Sequence, residues 1–350
     1  MIDLIQSIIP YISGLYTLPW ILVGFLVSSS LTLFFPQERI DRTMKQIGLI
    51  ILYCFVPVLV FRIFFDTPIG LRELFFVILV VLTISGMYVL AYIFALSRIR
   101  KHDLKKSQAR LYMKTVLTNQ GRSSAFVGGA MLTIPGWGVP AGIFMAFVGV
   151  ALFAVVPYTL LHLNNREQKE RDEPVHLPWF LKVYPWYFIS FAVAAIFLQR
   201  LTGLTTRDWG DFGILLRFYT ALTIPAALYY VGSGIHPNDL KIGELKKLAG
   251  LDKEETDEHW RWVRQIFLLT AVYTPLVFAA IFGLLLILNI IPASWFAVIV
   301  INTALPITST NMFLVPYGLD KRATAHSITW STLICVPVTV LLIGLFSIFF

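Results

Sequence analysis

Charge is scarce in this chain, and acidic charge is scarcest where it would matter most. Of 350 residues only 14% are charged, against roughly 25% in an ordinary soluble domain. The 20 Asp and Glu residues all fall in loops, tails or the ends of apolar stretches. That excludes a water-soluble catalytic fold. It also argues against cation antiporters and intramembrane aspartyl proteases, which need a carboxylate buried in the span. Cysteine is nearly absent. Cys54 and Cys335 are far apart in sequence, so there is neither a disulfide framework nor a CxxC metal pattern. No HExxH, Gly-x-Ser-x-Gly, Walker or GxGxxG motif occurs. The expectation is a protein that is not an enzyme and carries no cofactor or metal. The first 17 residues lack a basic n-region and a small-residue cleavage site. They read as an interfacial or extended start to the first helix rather than a signal peptide.

What is present is apolar. Hydrophobic residues make up 57%, aromatics 15%, and the mean hydropathy is +0.75. Because a bilayer core of about 30 Å takes roughly 20 apolar residues per helix, ten spans are predicted. They lie near 18–35, 45–65, 72–97, 111–133, 140–163, 178–200, 212–231, 265–289, 295–317 and 323–349. Runs such as Phe75–Leu82 and Phe278–Leu288 are apolar on every face, which is helical and not the alternation of a transmembrane barrel. With the N-terminus outside, the inner loops hold twenty Lys and Arg and the outer loops only Arg72, Arg200 and Arg207. The positive-inside rule then puts both termini outside a multi-pass protein, in the cell membrane. The net charge of +8 is accounted for by topology. It is dispersed over five loops, so no nucleic-acid partner is expected.

Five spans on each side of Asn164–Pro174 force the second half to enter the membrane from the opposite face, the arithmetic of an inverted repeat. The predicted organisation is a first repeat over 1–163, a cytoplasmic linker over 164–177 and a second repeat over 178–350. Pro57 and Pro225 sit at similar depths in the second and seventh spans. Val156-Pro157-x-Thr159-x-Leu161 matches Val336-Pro337-x-Thr339-x-Leu341 in the fifth and tenth. The long connection 232–262 is charged on either side of Leu245–Leu251, which reads as a short amphipathic helix with a solvated face.

Five basic residues lie within spans. Arg62, Lys114, Lys182 and Arg217 are near span ends and can extend their charge to the interface. Arg122 lies near the midplane, in the polar run Asn119-Gln120-Gly121-Arg122-Ser123-Ser124, with Gly128-Gly129 close behind. The ninth span has a counterpart, Leu305-Pro306-Ile307-Thr308-Ser309-Thr310-Asn311. Gly121, Gly128, Gly129 and Pro306 are the expected helix breaks. Asn119, Arg122, Ser123, Ser124, Thr308, Ser309, Thr310 and Asn311 are the expected substrate contacts at the repeat interface. Two roles are open to Arg122: substrate contact, favoured by the lack of a carboxylate partner, and a structural cation bonded to helix carbonyls. Thr308–Asn311 serve either a ligand or freed backbone groups. His326 reads as a packing residue, and Trp20, Trp137, Trp179 and Trp295 as interface anchors.

Leu305–Leu342 resembles the ninth and tenth helices of the auxin efflux carrier family. The shared features are the Thr-Asn crossover, the Tyr317-Gly318-x-Asp320 turn and the Ser-Thr-Leu helix ending near a proline. LPWILVGFL at 18–26, FVPVLVF at 55–61, GRSSAFVGG at 121–129 and LTIPAALYYVGSGI at 222–235 carry the likeness through the rest of the chain. The family is similar in fold to bile-acid/sodium symporters. The resemblance implies an all-α polytopic fold with crossing fourth and ninth helices. It implies a scaffold of helices 1, 2, 6 and 7, a transport domain of helices 3–5 and 8–10, an elevator-like movement and a homodimer. The family's first crossover has Gly-Asn-Thr where this chain has Gly121-Arg122-Ser123, and the fixed positive charge favours an anion. The expected function is transport of small organic anions such as carboxylates. A sodium-coupled symporter using Ser123, Ser124 and Thr308–Asn311 is the alternative, and a non-transporting membrane sensor is a further one.

Overall fold

The computed structural model describes residues 2–9, 19–67, 70–124, 131, 134, 136–169, 179–235, 242–251 and 258–349. Among the described residues every regular element is helical, and β structure is limited to one isolated bridge. Six helices are long and apolar enough to cross a membrane: Gln37–Asp66, Leu71–His102, Gly138–Leu163, Thr206–Tyr230, Glu258–Ile287 and Lys321–Phe349. The chain thus has the make-up of an integral membrane protein. Trp20–Leu31, Trp186–Thr202 and Ala293–Ala304 are shorter apolar helices.

The elements depart from the sequence expectation in a few places. Ile2–Ile8 is a short helix. The helix across 163 continues to Lys169, six residues into the expected linker. The connection after Gly210–Ser233 contains a short helix at Ile242–Ala249, over the predicted amphipathic stretch. It also ends sooner than expected, because Glu258–Phe267 is already helical. Trp260, Val263 and Ile266 recur at three-residue steps and are buried, so that face packs inward where a solvated loop was expected.

Three of the long helices change register in the same way. A π-helical turn occupies Ile51–Phe55, Ala151–Val155 and Leu268–Tyr273. Each is followed two residues later by a proline: Pro57, Pro157 and Pro275. The proline ring collides with the carbonyl four residues back and offers no N–H, and a widened turn relieves the clash. Pro225 and Pro337 lie inside α-helix.

The chain divides into two compact units. The first comprises Met1–Val77, Ser124–Ala146 and Ser190–Leu240. Within it Trp20–Leu31 lies against Gly210–Ser233 at backbone contact. A Cβ on Gly24 would run into the carbonyl of Tyr229, and one on Gly232 into that of Ile21. Ser28 Oγ donates to the Ser233 carbonyl at 3.1 Å. Phe55 stacks on Tyr219 with centroids 4.6 Å apart. Asp66 accepts from Thr206 N at 2.7 Å and from its hydroxyl at 2.8 Å. Arg62 is held internally, with Nη1 2.7 Å from Thr220 Oγ1 and Nε 3.8 Å from Asp66.

The second unit comprises Ile78–Ser123, Phe147–Ile189 and Lys241–Phe350. It contains both interrupted stretches. Its core includes Ala91, Ala95, Tyr112, Val116, Trp262 and Ile266, and a further cluster forms around Val156, Leu160, Leu314 and Tyr317.

Candidate functional site

The first interrupted helix, Lys106–Thr118, ends by tightening. Gln120 N bonds to Leu117 O and Gly121 N to Thr118 O, at 3.1 and 3.0 Å, the three-residue spacing that closes helix ends. The second, Ala293–Ala304, ends because Pro306 forces the residue before it out of helical geometry; Leu305 has φ −58° and ψ 151°. The two ends cross. Ser123 N donates to Pro306 O at 2.9 Å and Thr308 N to Gly121 O at 3.0 Å. These bonds make an antiparallel bridge between Arg122 and Ile307. Backbone groups freed by one break are therefore satisfied by the other. Gly121 permits the approach: a Cβ there would run into Leu152 and stand 3.1 Å from Asn311 Oδ1.

Side chains complete the crossing. Asn311 Nδ2 caps the Thr118 carbonyl at 2.9 Å. Asn119 Nδ2 donates to Thr115 O at 2.8 Å and to Thr324 Oγ1 at 3.3 Å. Ser331 Oγ accepts from Ile307 N at 3.1 Å. Thr308 caps the 3-10 helix Ser309–Tyr317, accepting from Thr310 N, and its hydroxyl is 2.9 Å from that of Thr310. Gly318 ends that helix with φ +85°.

Arg122 is 2% exposed. Its Nη2 donates to the Thr270 carbonyl at 2.9 Å and lies 3.4 Å from Gln120 Oε1. The Thr270 carbonyl is available for a local reason. In the π turn Thr274 N bonds to Leu269 O instead, and the next residue, Pro275, has no N–H to donate. Among the described residues Arg122 makes no ion pair, and its Nε, though buried, has no acceptor. Among the described residues Tyr88 and Cys335 are titratable groups near enough to interact with it. Buried oxygens without a donor gather in the same stretches: Asn119 Oδ1, Ser123 Oγ, Ser309 Oγ and Asn311 Oδ1. A buried cation with an uncommitted N–H, set among neutral oxygens and amides, has the chemistry to receive an anion.

The structure brings together Asn119, Gly121, Arg122, Ser123, Pro306, Thr308 and Asn311. Ser124, Ser309 and Thr310 are also buried. Gly128 and Gly129 lie outside the described residues. Lys114 corrects an expectation. It is 4% exposed and donates to the Tyr317 carbonyl at 3.4 Å, because its helix is buried there and the end of the 3-10 helix presents a carbonyl within reach. The sequence reading also missed Gln120, Thr270, Thr274 and Ser331. Gln120 stood within the polar run around Arg122, and Pro275, with Thr270 and Thr274 shortly before it, was the available signal for those two threonines. Among the described residues no group of three or more His, Cys, Asp or Glu is gathered to hold a metal ion. No protein-family model matches the chain, and no curated protein matches it.

Proposed function

We propose that this protein is a secondary transporter of small organic anions, carboxylates foremost, working by alternating access in the manner of the auxin efflux carriers it resembles. The observation that carries the reading is Arg122: a guanidinium buried at the crossing of two interrupted helices, bonded to a carbonyl and an amide and, among the described residues, to no carboxylate. Interrupted helices crossing at the substrate site are the recurring device of such transporters. The division into two units supports an elevator-like movement of the crossover-bearing unit. The inverted repeat, the ten spans, a homodimer and a cell-membrane location with both termini outside belong to the same proposal. The test is flux of mono- and dicarboxylates and indole acids in proteoliposomes. The wild type transports at least one of them, and Arg122→Ala reduces that flux at least tenfold. Equal flux through both proteins overturns the reading, and binding without flux in the wild type makes the protein a sensor.

A second reading has its own observation, the uncommitted oxygens of Asn119, Ser123, Ser309 and Asn311. Neutral oxygens of this kind suit a sodium ion coupled to the anion. Replacing sodium by choline then abolishes uptake; unchanged uptake removes the coupling.

A further inference from the structure

His259 and His326 are 67 residues apart in sequence and bond directly, His259 Nε2 lying 2.8 Å from His326 Nδ1. Their ring centroids are 5.0 Å apart and their planes 62° apart. They belong to two helices of the second unit, Glu258–Phe267 and Lys321–Phe349. Trp260 completes the arrangement: its ring stacks on His326 at 5.2 Å and meets the His259 ring edge-on at 5.7 Å. Leu248, Val263, Ala323 and Trp330 form a buried cluster with that tryptophan. Both imidazoles are half-buried, so they are held by packing and still open to solvent protons.

A bond between two imidazole nitrogens needs one N–H and one lone pair. The neutral pair supplies both, and so does a pair carrying one extra proton. A doubly protonated pair has donors only, and its two cations repel. The unfolded chain takes up both protons freely, whereas the folded pair takes the second only by giving up its bond. The unfolded state therefore binds more protons in acid, and stability falls as pH falls. Among the described residues the ionisable groups around the pair come from several elements. On the His259 helix, Glu258 is 3.5 Å from Arg261 and 3.4 Å from the neutral Gln108, and Arg264 reaches Gly250. Ile242–Ala249 brings Lys246 and the pair Glu244–Lys247, 3.4 Å apart. Leu71–His102 brings His102, 3.3 Å from Gln265. At the start of the His326 helix Asp320 accepts from Ala323 N at 2.7 Å, and Lys321 and Arg322 are exposed. Ala293–Ala304 and Ser309–Tyr317 also pack on that helix and carry no charged side chain.

The two helices joined by this bond also meet the crossing. About three turns beyond His259, the first presents the Thr270 carbonyl that holds Arg122. On the second, Thr324 Oγ1 accepts from Asn119 Nδ2 at 3.3 Å and Ser331 Oγ from Ile307 N at 3.1 Å, one on each side of His326 in sequence. We infer that His259 and His326 form a proton-operated clasp. Closed in neutral solution, it holds the helix that carries Thr270 against the helix that anchors the crossing; a second proton opens it, within the range of about pH 5–8 over which imidazoles change charge. Acid then weakens anion binding at Arg122. That last step rests on the transport reading, and the clasp itself does not.

The test is a double-mutant cycle on the full chain in detergent, with His259→Phe, His326→Phe and both together, read by thermal unfolding at about pH 7.5 and about pH 5.5. Phenylalanine keeps a ring against Trp260 and removes the nitrogens. At the higher pH the two positions are coupled, and losing the bond lowers Tm by about 2–6 °C. At the lower pH the coupling vanishes or changes sign. Equal coupling at both pH values, or none at the higher, overturns the clasp. Should the double phenylalanine variant fail to fold, His259→Gln/His326→Gln can bond without titrating. Its Tm changes less with pH than that of the wild type, and an equal change overturns the clasp. Benzoate and lactate, ionised at both pH values, test the regulation: the thermal shift they give the wild type shrinks in acid, and in the glutamine double variant it does not. The same shrinkage in both proteins overturns the regulation. No shift in the wild type at either pH counts against the transport reading, and the clasp is then decided by the cycle.

Discussion

Replacing Arg122 by methionine separates a ligand-binding cation from a structural one, because the two roles predict opposite changes in stability. Methionine is similar in length and apolar. The substitution removes the 2.9 Å bond to Thr270 O and leaves that carbonyl without a donor, since Pro275 cannot supply one. A bond to a charged group is worth about 1.5–3 kcal/mol. Against this, a guanidinium 2% exposed and without a carboxylate partner among the described residues carries a desolvation penalty of several kcal/mol, roughly. The second quantity is the larger, so Arg122→Met is expected to match the wild type or exceed it by about 1–3 kcal/mol. In a large domain each kcal/mol moves Tm by about 2–4 °C. The assay is thermal unfolding in detergent, first without organic anions and then across a carboxylate panel. The wild type gains about 2.7 kcal/mol from a ligand at a hundred times its Kd; the variant gains nothing. A variant less stable by about 3–5 kcal/mol, the loss seen when a satisfied buried charge is broken, refutes the reasoning. Arg122 then pegs the crossover together and its burial says nothing about a ligand.

Three further perturbations test the surrounding geometry. Asn311→Leu keeps the branched shape but uncaps the Thr118 carbonyl, and is expected to cost about 1–3 kcal/mol in thermal unfolding. Pro275→Ala restores a backbone N–H to Thr270 O and removes the cause of the π turn. Carboxylate-induced stabilisation then falls as Arg122 loses its acceptor, whereas an unchanged shift means the wide turn plays no part. Gly24→Val pushes a side chain into the Tyr229 carbonyl. Overpacking of this kind costs about 1–3 kcal/mol, and disulfide trapping between helices Trp20–Leu31 and Gly210–Ser233 would report the lost contact.

The positions of both helix breaks were legible because their signals are local. Pro306 acts on the residue before it, and Gly121 lies in the most polar run of any span. The partners of those breaks were not legible. Thr270 is 148 residues from Arg122 and Ser331 is 24 from Ile307, and no periodicity encodes such pairings. Lys114 was misread for a related reason. Distance from a span end predicts access to water only when the helix stands at the surface, and Lys106–Thr118 is largely buried from Tyr112 onward. The matched prolines illustrate the limit from the other side. Pro57 and Pro157 follow π turns while their sequence counterparts Pro225 and Pro337 sit in unbroken α-helix, so similar motifs occupy dissimilar backbones.

The cap that Asn311 places on Thr118 spans 193 residues of chain, and that separation has a consequence for synthesis. Ribosomes add about 5–20 residues per second, so the end of Lys106–Thr118 exists for roughly 10–40 s before its partner has been made. During that interval its terminal carbonyls have neither Asn311 nor the bridge to Ile307, and hydrocarbon offers them no substitute. Until then those carbonyls need water or another protein as their partner. Assembly of this protein is an order-of-synthesis problem, in which the end of Lys106–Thr118 can be capped only after Ser309–Tyr317 has been made.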